Sequence, residues 1–440
     1  MDRRFRDTAH LFSRAGFGAT RAEVSAHHDK PWDELVDLVL DTSRAPALGR
    51  QPDLSNSRGW YERYVDMVHY WLDRARRPVT RAPVVEKMTL FWHGYLCSSI
   101  EKVDHHWMMF EQNQLFRARG LGPVDELLWM TSIGPAMLRY LDNHRNTMRS
   151  LNENFARELM ELFTIGIGHF TEQDVRAAAR AWTGHGLDDN NRYRFSPGDH
   201  DGAAKVFLGQ RGHWNGRDVI DLLLRHRRQA HVRFFAQKLW SFFAYPVSLS
   251  DPVVSDIAAT YNRNLNAAEA LRAVFMHSQF RSDRAVNGLV RSPIEYVVAL
   301  MRHTGFDCAT AHPEWYLRAM GQEPFRPPNV SGWRQNDYWI TESAIWARGD
   351  MAGYLRWRAY SRGDLEDVAE VVSWNPRTYR YTEAQVVDRA LRNYGITLRS
   401  AKTRDVLIDY VASERNSDTS WGQRAGLLML PLLIPEMQLA

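Results

Sequence analysis

The chain has 440 residues, of which 44% are hydrophobic and 25% are charged. This profile is that of a globular protein, and it excludes a disordered chain, a collagen and a disulfide scaffold. Two cysteines, Cys97 and Cys308, are typical of a reducing compartment. No apolar run approaches the roughly 20 residues of a membrane-spanning helix, and no secretory signal is visible. We therefore expect a soluble, cytoplasmic protein without membrane contacts.

The formal net charge is +4, with 56 Lys and Arg residues against 52 Asp and Glu residues. Nearly all of the basic residues are arginine, whose planar guanidinium forms forked pairs with carboxylates. Acidic residues are interspersed with them throughout the chain. The pattern therefore favours internal ion pairs over a nucleic-acid-binding face.

Helix signals recur along the chain. Ser, Thr or Asn followed three residues later by Glu, Asp or Gln is the pattern of a capping box. It occurs at Thr20, Thr171, Asn266, Ser292 and Thr382. Glycines stand at the position of a left-handed helix cap after several apolar-periodic segments, namely Gly184, Gly305 and Gly395. Alternation typical of strands is confined to Tyr193–Phe195 and residues 206–208.

These signals predict a mainly all-α protein with few or no short strands and with long ordered loops. Residues 1–360 are expected to form one large helical domain that carries the functional site, with residues 361–440 as a helical extension packed on it. The stretches 187–214, 324–340 and 361–382 resist helix formation. Long irregular segments inside a domain are usually functional or mobile.

The common nucleotide, zinc-protease and nucleophile-elbow motifs are absent, and four other constellations remain. The first is residues 152–163, where Glu153, Asn154, Arg157, Glu158 and Glu161 share one helical arc of about 140° at about 100° per residue. Two carboxylates one turn apart can hold a cation or divide acid and base roles. The alternative is the solvated face of an amphipathic helix.

The second constellation, residues 86–95, places His93 among large apolar side chains. It is either a ligand with an oriented ring or a core histidine. The third, residues 195–202, places His200 beside Asp201 in a Gly/Pro loop followed by Lys205. This pattern is typical of a metal or proton-transfer site, or of simple turns.

The fourth constellation, residues 321–333, is rich in proline, amides and aromatic rings. Gln322 and Trp333 are its candidate ligand contacts. Stiff prolines and amides suit either the wall of a substrate site or a loop pinned for structural reasons.

The four constellations, taken in chain order, resemble the bacterial family named domain of unknown function 1800. The matching segments are residues 10–18, 86–93, 135–142, 152–162, 174–175, 183–184, 200–201, 205, 208–209 and 321–333, with the ending at 435–438. The resemblance implies a shared and largely helical fold, and it adds weight to His93, His200 and the polar arc as a site without assigning a reaction. Many members carry a second histidine where this chain has Tyr95, and many appear in exported proteins.

The leading hypothesis is an enzyme, an oxidoreductase or a hydrolase, with a polar site inside a helical shell that acts on a small, anionic or peptide substrate. The residues assigned to catalysis are Glu158, Arg157 and Asp201. The predicted ligands of a divalent metal, Fe or Zn, are His93, His200 and Glu161. The residues expected to bind substrate are Asn154, Lys205, Gln322 and Trp333.

Two alternatives remain open. A buried ion-pair network can lock a non-catalytic helical scaffold or binding protein. The helical content, the 16 tryptophans and the histidines also fit a haem-type oxidoreductase. The leading hypothesis requires that the segments around positions 93, 158 and 200 meet at one enclosed site.

Overall fold

Helices dominate the computed structural model, which describes residues 3–45, 49–286, 288–361, 382–396, 398, 400–415 and 426–440. The all-α prediction is confirmed. Before the first strand the helices are α1 (Arg3–Ala15), α2 (Arg21–Ser25), α3 (Trp32–Leu40), α4 (Trp60–Ala75), α5 (Val84–Tyr95), α6 (Ile100–Val103), α7 (His106–Arg119), α8 (Val124–Ser132), α9 (Pro135–Tyr140), α10 (Asn154–Glu161) and α11 (Glu172–Ala181).

Four short strands follow, and the remaining helices come after them. The strands are β1 (His185–Leu187), β2 (Tyr193–Phe195), β3 (Lys205–Phe207) and β4 (Gln210–Gly212). The later helices are α12 (Gly216–His226), α13 (Arg228–Phe243), α14 (Pro252–Tyr261), α15 (Ala267–Met276), α16 (Asp283–Val286), α17 (Pro293–Thr304), α18 (Cys308–Ala311), α19 (Pro313–Ala319), α20 (Glu342–Ser361), α21 (Glu383–Asn393), α22 (Ala401–Arg415), α23 (Gly426–Met429) and α24 (Pro435–Gln438).

Single turns of 3-10 helix link several of these elements. They are Thr42–Arg44, Val79–Arg81, Asn143–Arg145, Pro197–Asp199, Ser278–Arg281, Asn336–Trp339 and Leu430–Leu432. Such turns are common where a chain leaves or enters an α-helix. Among the described residues, no helix combines the length and the apolar character needed to cross a bilayer.

The predicted capping boxes are confirmed at four of the five positions. Thr20, Thr171, Ser292 and Thr382 each form a complete capping box. Asn266 caps the amides of the first turn of α15, but Glu269 does not return the bond, because its carboxylate accepts one from Asn264 at 2.6 Å. The three cap glycines have the positive φ that was predicted: Gly184, Gly305 and Gly395.

The strands form two antiparallel hairpins, β1 with β2 and β3 with β4. The strand predicted at Tyr193–Phe195 is confirmed as β2. The strand predicted at residues 206–208 is shifted by one residue and forms β3, Lys205–Phe207. Leu208 instead has φ 49 and is followed by Gly209 with φ 82, so these two residues make the tight hairpin turn. The strands β1 and β4, which pair with β2 and β3, each contain a glycine, and this glycine weakens the strand pattern in the sequence.

An aromatic layer joins α5 to α13 in the core. Phe91 and Trp92 of α5 lie against Phe235 of α13, with ring centroids 6.0 and 5.6 Å apart. Phe91 also contacts Phe242, which lies two helical turns after Phe235 on α13, with the ring centroids 5.4 Å apart. Aromatic rings at these separations bury large areas and attract each other, edge-to-face in the two pairs of Phe91 and stacked between Trp92 and Phe235. This layer fixes the two helices that form the walls of the site described below.

The C-terminal end of the chain returns to the start of α17. The amide of Arg291 donates to the carbonyl of Gln438 at 2.8 Å, and the amide of Ala440 donates to the carbonyl of Leu289 at 3.0 Å. The boundary predicted at residue 361 falls beside residues 362–381, which lie outside the described part of the chain. The loop predicted over 361–382 therefore lies almost entirely outside it as well.

Candidate functional site

A cavity of about 300 Å³ lies between α5, α13 and residues 331–339. α5 contributes Leu90, Phe91, Gly94 and Tyr95, and α13 contributes Gln237, Lys238, Ser241 and Phe242. Both sets have the three- and four-residue spacing that places side chains on one face of a helix. We call this space the α5/α13 cavity.

The loop that closes the cavity approaches α5 very closely at Gly332. Gly332 has φ +77, and a Cβ on it would collide with the carbonyl oxygen of Gly94 and lie 3.1 Å from Sγ of Cys97. Only a residue without a side chain permits both this backbone conformation and this approach. Gly332 therefore sets the position of the loop that carries Trp333.

His93 holds the same loop from the side of α5. Its Nε2 accepts a hydrogen bond from the backbone amide of Phe325 at 2.9 Å. The ring is 1% exposed and lies 5.2 Å from Trp71 and 5.4 Å from Trp333, measured between ring centroids. Burial lowers the pKa of His93 to about 3, so the ring is neutral and carries its proton on Nδ1. His93 therefore matches the alternative in which it is a buried core histidine and not a ligand.

Two residues predicted to bind substrate, Gln322 and Trp333, line the cavity. Oε1 of Gln322 accepts from the amide of Ile294 at 2.9 Å, which leaves its Nε2 as a donor. Nε1 of Trp333 is buried and has no hydrogen-bond partner among the described residues. An indole N–H usually finds a partner when it is buried, so the loop contains unused donor capacity.

The carboxylate in the cavity wall is already neutralised. Glu295 forms an ion pair with Lys87, and it accepts a hydrogen bond from the amide of Ser292 at 2.9 Å. Burial alone would raise the pKa of Glu295, but the charge of Lys87 and these hydrogen bonds hold it well below its usual range. Glu295 is therefore ionised and contributes no unpaired negative charge to the cavity.

Lys238 is the most unusual group in the wall. It is partly buried, its ammonium lies 5.3 Å from the ring centroid of Phe234, and it has no hydrogen bond or ion pair with any residue that the structure describes. Burial lowers the pKa of Lys238, and the nearby thiol of Cys97 acts weakly in the opposite direction. Burial raises the pKa of Cys97 to about 12, so the thiol is neutral and gives Lys238 no counter-charge.

A second cation stands at the rim. Arg334 lines the cavity, and its guanidinium lies 5.7 Å from the ring centroid of Tyr338, without a carboxylate partner among the described residues. Asn336 also lines the cavity; its Oδ1 accepts from the amide of Val290 at 2.7 Å, which leaves its amide nitrogen as a donor. The wall thus combines two unpaired cations with several N–H donors.

The polar arc of α10 forms as predicted but does not line this cavity. Arg157 makes two hydrogen bonds to the carboxylate of Glu172, both 2.8 Å, on the exposed side of the helix. Asn154 is exposed and donates weakly to the carbonyl of Leu141 at 3.4 Å. The amphipathic-helix alternative accounts for these two residues.

Glu158 and Glu161 are partly buried neighbours on the same helix. Burial raises the pKa of Glu158, the charge of Glu161 adds to the rise, and Arg157 opposes it. The carboxylate of Glu158 has no hydrogen bond or ion pair within the described part of the chain. The link from this region to the cavity is Tyr95, whose hydroxyl donates to the carbonyl of Phe163 at 3.0 Å.

His200, Asp201 and Lys205 tie the hairpin region to the end of α11. Nδ1 of His200 lies 2.9 Å from the carbonyl oxygen of Thr183, and Asp201 pairs with Arg180 at 2.6 Å. The hydrogen bond from Arg180 lowers the pKa of Asp201. Lys205 is 2% exposed and donates to the backbone carbonyls of residues 201 and 203. Their polar atoms are largely used in holding the loop.

The three predicted metal ligands, His93, His200 and Glu161, do not converge. Within the described residues, no group of three or more His, Cys, Asp or Glu side chains has the arrangement needed to hold a metal ion. His93 also has its Nε2 occupied by a backbone amide. The donor set that the sequence suggested therefore does not fit a metal centre, and positions 93, 158 and 200 do not share one ligand cluster.

Sequence reasoning missed the two cations of the cavity. Lys238 could have been found, because it stands four residues after Phe234 and four before Phe242 on one helical face, where a lysine is rare. Arg334 directly follows the 321–333 constellation but belongs to a chain rich in arginine. Nothing in the sequence therefore distinguishes Arg334 from the other arginines.

Fold and site together define a mainly α-helical protein with a small, cation-lined cavity between two helices and a glycine-pinned loop. The chain belongs to the family described as "Protein of unknown function (DUF1800)", whose profile matches residues 10–439, nearly the whole length. The family resemblance is thereby confirmed. No curated protein and no solved structure gives a significant match to the chain.

Proposed function

We propose that the protein is an enzyme that binds a small anionic substrate in the α5/α13 cavity. Lys238 and Arg334 supply unpaired positive charge, and Gln322 and Asn336 supply amide donors. Glu295 does not oppose an anion, because Lys87 already neutralises it. Charge-assisted hydrogen bonds from such groups are the strong contacts with carboxylates and phosphates.

The size of the cavity favours a small molecule over a peptide. Its volume of about 300 Å³ is at the lower end of the roughly 300–1,000 Å³ that ligand pockets span. Half of its wall is aromatic or aliphatic, from residues such as Phe91, Tyr95 and Phe242. A ligand with a short carbon skeleton and one anionic group matches both features.

Lys238 is the observation that carries the proposal. Placing an ammonium in a partly apolar wall without a counter-ion costs free energy, so such groups are concentrated where a ligand or a reaction uses them. A lysine with only a structural role is usually paired, as Lys87 is with Glu295, or bonded to carbonyls, as Lys205 is. Lys238 is neither.

The proposal is tested by ligand binding. Acetate, pyruvate and phosphate are titrated into the full-length protein by calorimetry, together with the variants Lys238→Met and Lys30→Met. Lys30 is an exposed lysine 3.6 Å from Glu34, so its variant is the matched control. At least one anion should bind to wild type and to the Lys30 variant and lose most of its affinity in Lys238→Met. Equal binding in all three proteins would refute the assignment.

The two predicted reaction classes, oxidoreductase and hydrolase, both stay predictions, and so does the use of Fe or Zn. The ligand set first predicted for a metal does not assemble, so no step is assigned to one. Elemental analysis of protein purified without an affinity tag tests for a bound metal. A stoichiometric metal would require a ligand set other than His93, His200 and Glu161.

The scaffold alternative is supported by a different observation. Glu86 lies between two arginines, 2.8 Å from Nε of Arg74 and 2.8 Å from Nη2 of Arg117, and all three side chains are at most 6% exposed. A buried network of this kind can specify a packing arrangement without catalysis. A protein that binds no small anion and gains stability only from a partner would favour this function.

The haem-type alternative and the cytoplasmic location also stay predictions. A visible absorption spectrum of the purified protein tests for haem through its Soret band. Both cysteines are buried and unpaired, which supports a reducing compartment. Fractionation of the producing cells, with the protein detected in each fraction, tests the location.

A further inference from the structure

Lys238 has the surroundings of a lysine that acts through its nitrogen atom. The ammonium faces the ring of Phe234 at 5.3 Å, and Phe242 and Tyr95 line the cavity around it. No carboxylate of the described residues pairs with it. Desolvation without a counter-ion disfavours the charged form of an amine, and burial lowers the pKa of Lys238 accordingly. A lower pKa increases the unprotonated fraction of the amine, and the unprotonated form is the nucleophile.

We propose that the ligand of the α5/α13 cavity is a small 2-oxo acid and that Nζ of Lys238 adds to its carbonyl carbon to form an imine. This inference rests on the proposed function, since it names the substrate class of the same cavity. A 2-oxo acid matches two features of the cavity. Its carbonyl carbon can react with the amine of Lys238, and its carboxylate can pair with the guanidinium of Arg334.

The step balances without a co-reactant. The nitrogen lone pair forms a C–N bond, and the electrons of the carbonyl π bond move to oxygen. Nitrogen then gives up its two hydrogens and the oxygen leaves with them as water, so that a C=N bond replaces the C=O bond. No electron is gained or lost overall. Lysine amines form such imines with carbonyl substrates when desolvation raises the fraction of the amine that is unprotonated.

Arg334 and the two amides fix the orientation of the ligand. Arg334 presents a forked donor that matches a carboxylate, and Gln322 and Asn336 each have their side-chain oxygen already occupied by a backbone amide. Their nitrogen atoms are therefore the groups left to donate to the ligand. Arg334 is a positioning residue, because it holds the carboxylate and does not react.

The experiment traps the imine by reduction. Full-length protein is incubated with pyruvate and cyanoborohydride, and the modified lysine is located by peptide mass spectrometry. The chain has only six lysines, so each one can be scored separately. Pyruvate should modify Lys238 in preference to Lys30, and inorganic phosphate or lactate should protect Lys238. Acetone, which lacks the carboxylate, should react more slowly at the same position.

Two variants separate the roles of charge and nucleophile. Lys238→Arg keeps the positive charge and should retain anion binding by calorimetry while losing the reducible adduct. Arg334→Gln should slow the reaction with pyruvate but not that with acetone. The protection assay uses only wild-type protein, so it decides the matter even if a variant does not fold.

The failures of the two proposals are distinguishable. If anions bind in a Lys238-dependent way but no adduct forms at Lys238, the imine is refuted and the anion site stands. If no anion binds, the proposed function fails and the imine fails with it. Equal modification of Lys238 and Lys30, without protection by phosphate or lactate, also overturns the inference.

Discussion

His93 and Phe325 are joined by a hydrogen bond of 2.9 Å across 232 positions of the chain, from the backbone amide of Phe325 to Nε2 of His93. The acceptor must stay unprotonated for this bond to exist. The buried ring therefore couples the attachment of the 321–333 loop to the protonation state of one imidazole. This relation predicts how the stability of the protein depends on pH.

Stability should fall as the pH drops from about 6.5 toward 4. Burial lowers the pKa of His93 to about 3 and those of His185, His231 and His303 to about 4, whereas the ordinary value is 6.5. Below pH 6.5 these four histidines take up protons in the unfolded chain before they do so in the folded protein. Each such histidine lowers the free energy of unfolding by up to about 1.4 kcal/mol per pH unit in this window.

Urea unfolding at several pH values measures this slope. The variant His303→Gln should show a shallower slope than wild type between pH 6.5 and 4, because it removes one of the shifted groups. Above pH 7 the two proteins should respond to pH alike. A stability that does not change between pH 6.5 and 4 would contradict the burial of these rings in their neutral form.

Gly332→Ala should detach the loop from α5. The new Cβ would meet the carbonyl oxygen of Gly94 as well as Sγ of Cys97, so the loop must shift and the cavity must open. Gly321→Ala is the matched control, since Gly321 has φ +82 and no atom within 4 Å of an added Cβ. Both variants carry the strain of a left-handed alanine, about 1–2 kcal/mol.

Only Gly332→Ala is therefore expected to lose anion binding in addition to stability. Urea unfolding measures the stability of both variants, and calorimetry with the best anion measures the binding. If Gly321→Ala loses binding to the same degree, the close approach at Gly332 is not what shapes the cavity.

Glu86→Gln should destabilise the fold strongly. The carboxylate accepts hydrogen bonds from Arg74 and Arg117 at 2.8 to 3.1 Å, and its neutralisation would remove the negative charge that these two buried guanidinium groups share. Breaking a buried ion pair from one side costs roughly 3–5 kcal/mol. The exposed pair of Arg192 with Glu111, at 2.7 Å, provides the control, and Glu111→Gln should change the free energy of unfolding little.

Glu158→Gln separates a catalytic from a scaffold role for the polar arc. The carboxylate of Glu158 makes no hydrogen bond or ion pair within the described residues, and burial raises its pKa, so its charge opposes folding at neutral pH. The folded protein holds this proton more tightly than the unfolded chain, and its contribution to stability is therefore lost as the pH rises. The neutral variant should be as stable as wild type or more stable at pH 7. A marked drop in melting temperature would favour the scaffold role.

Much of the secondary structure was predictable because its causes are local. Thr20, Thr171 and Ser292 cap helices through contacts that span three residues, and Gly184 and Gly305 adopt the backbone conformation that only glycine takes without strain. The family resemblance was predictable for the same reason, since it depends on residue order alone. The partner strands His185–Leu187 and Gln210–Gly212 were missed because their pairing, not their composition, makes them strands.

The site was only partly predictable, because it is assembled from separate parts of the chain. Gln322 and Trp333, predicted from a loop rich in prolines and amides, both line the α5/α13 cavity, and their contact with a substrate stays a prediction. His200 and Lys205 looked equally promising, yet their polar atoms bind backbone carbonyls nearby. A sequence shows which residues can ionise but not which of them already have partners.

The sequence by itself determined a helical, globular protein of one family, with several helix caps and with Gln322 and Trp333 among its candidate residues. The tertiary structure decided that His93 fastens a loop, that Lys87 neutralises Glu295, and that no carboxylate of the described residues pairs with Lys238. The physical reason is distance: capping and periodicity act within one or two helical turns, whereas the charge balance of a cavity depends on side chains brought together from elements far apart in the chain.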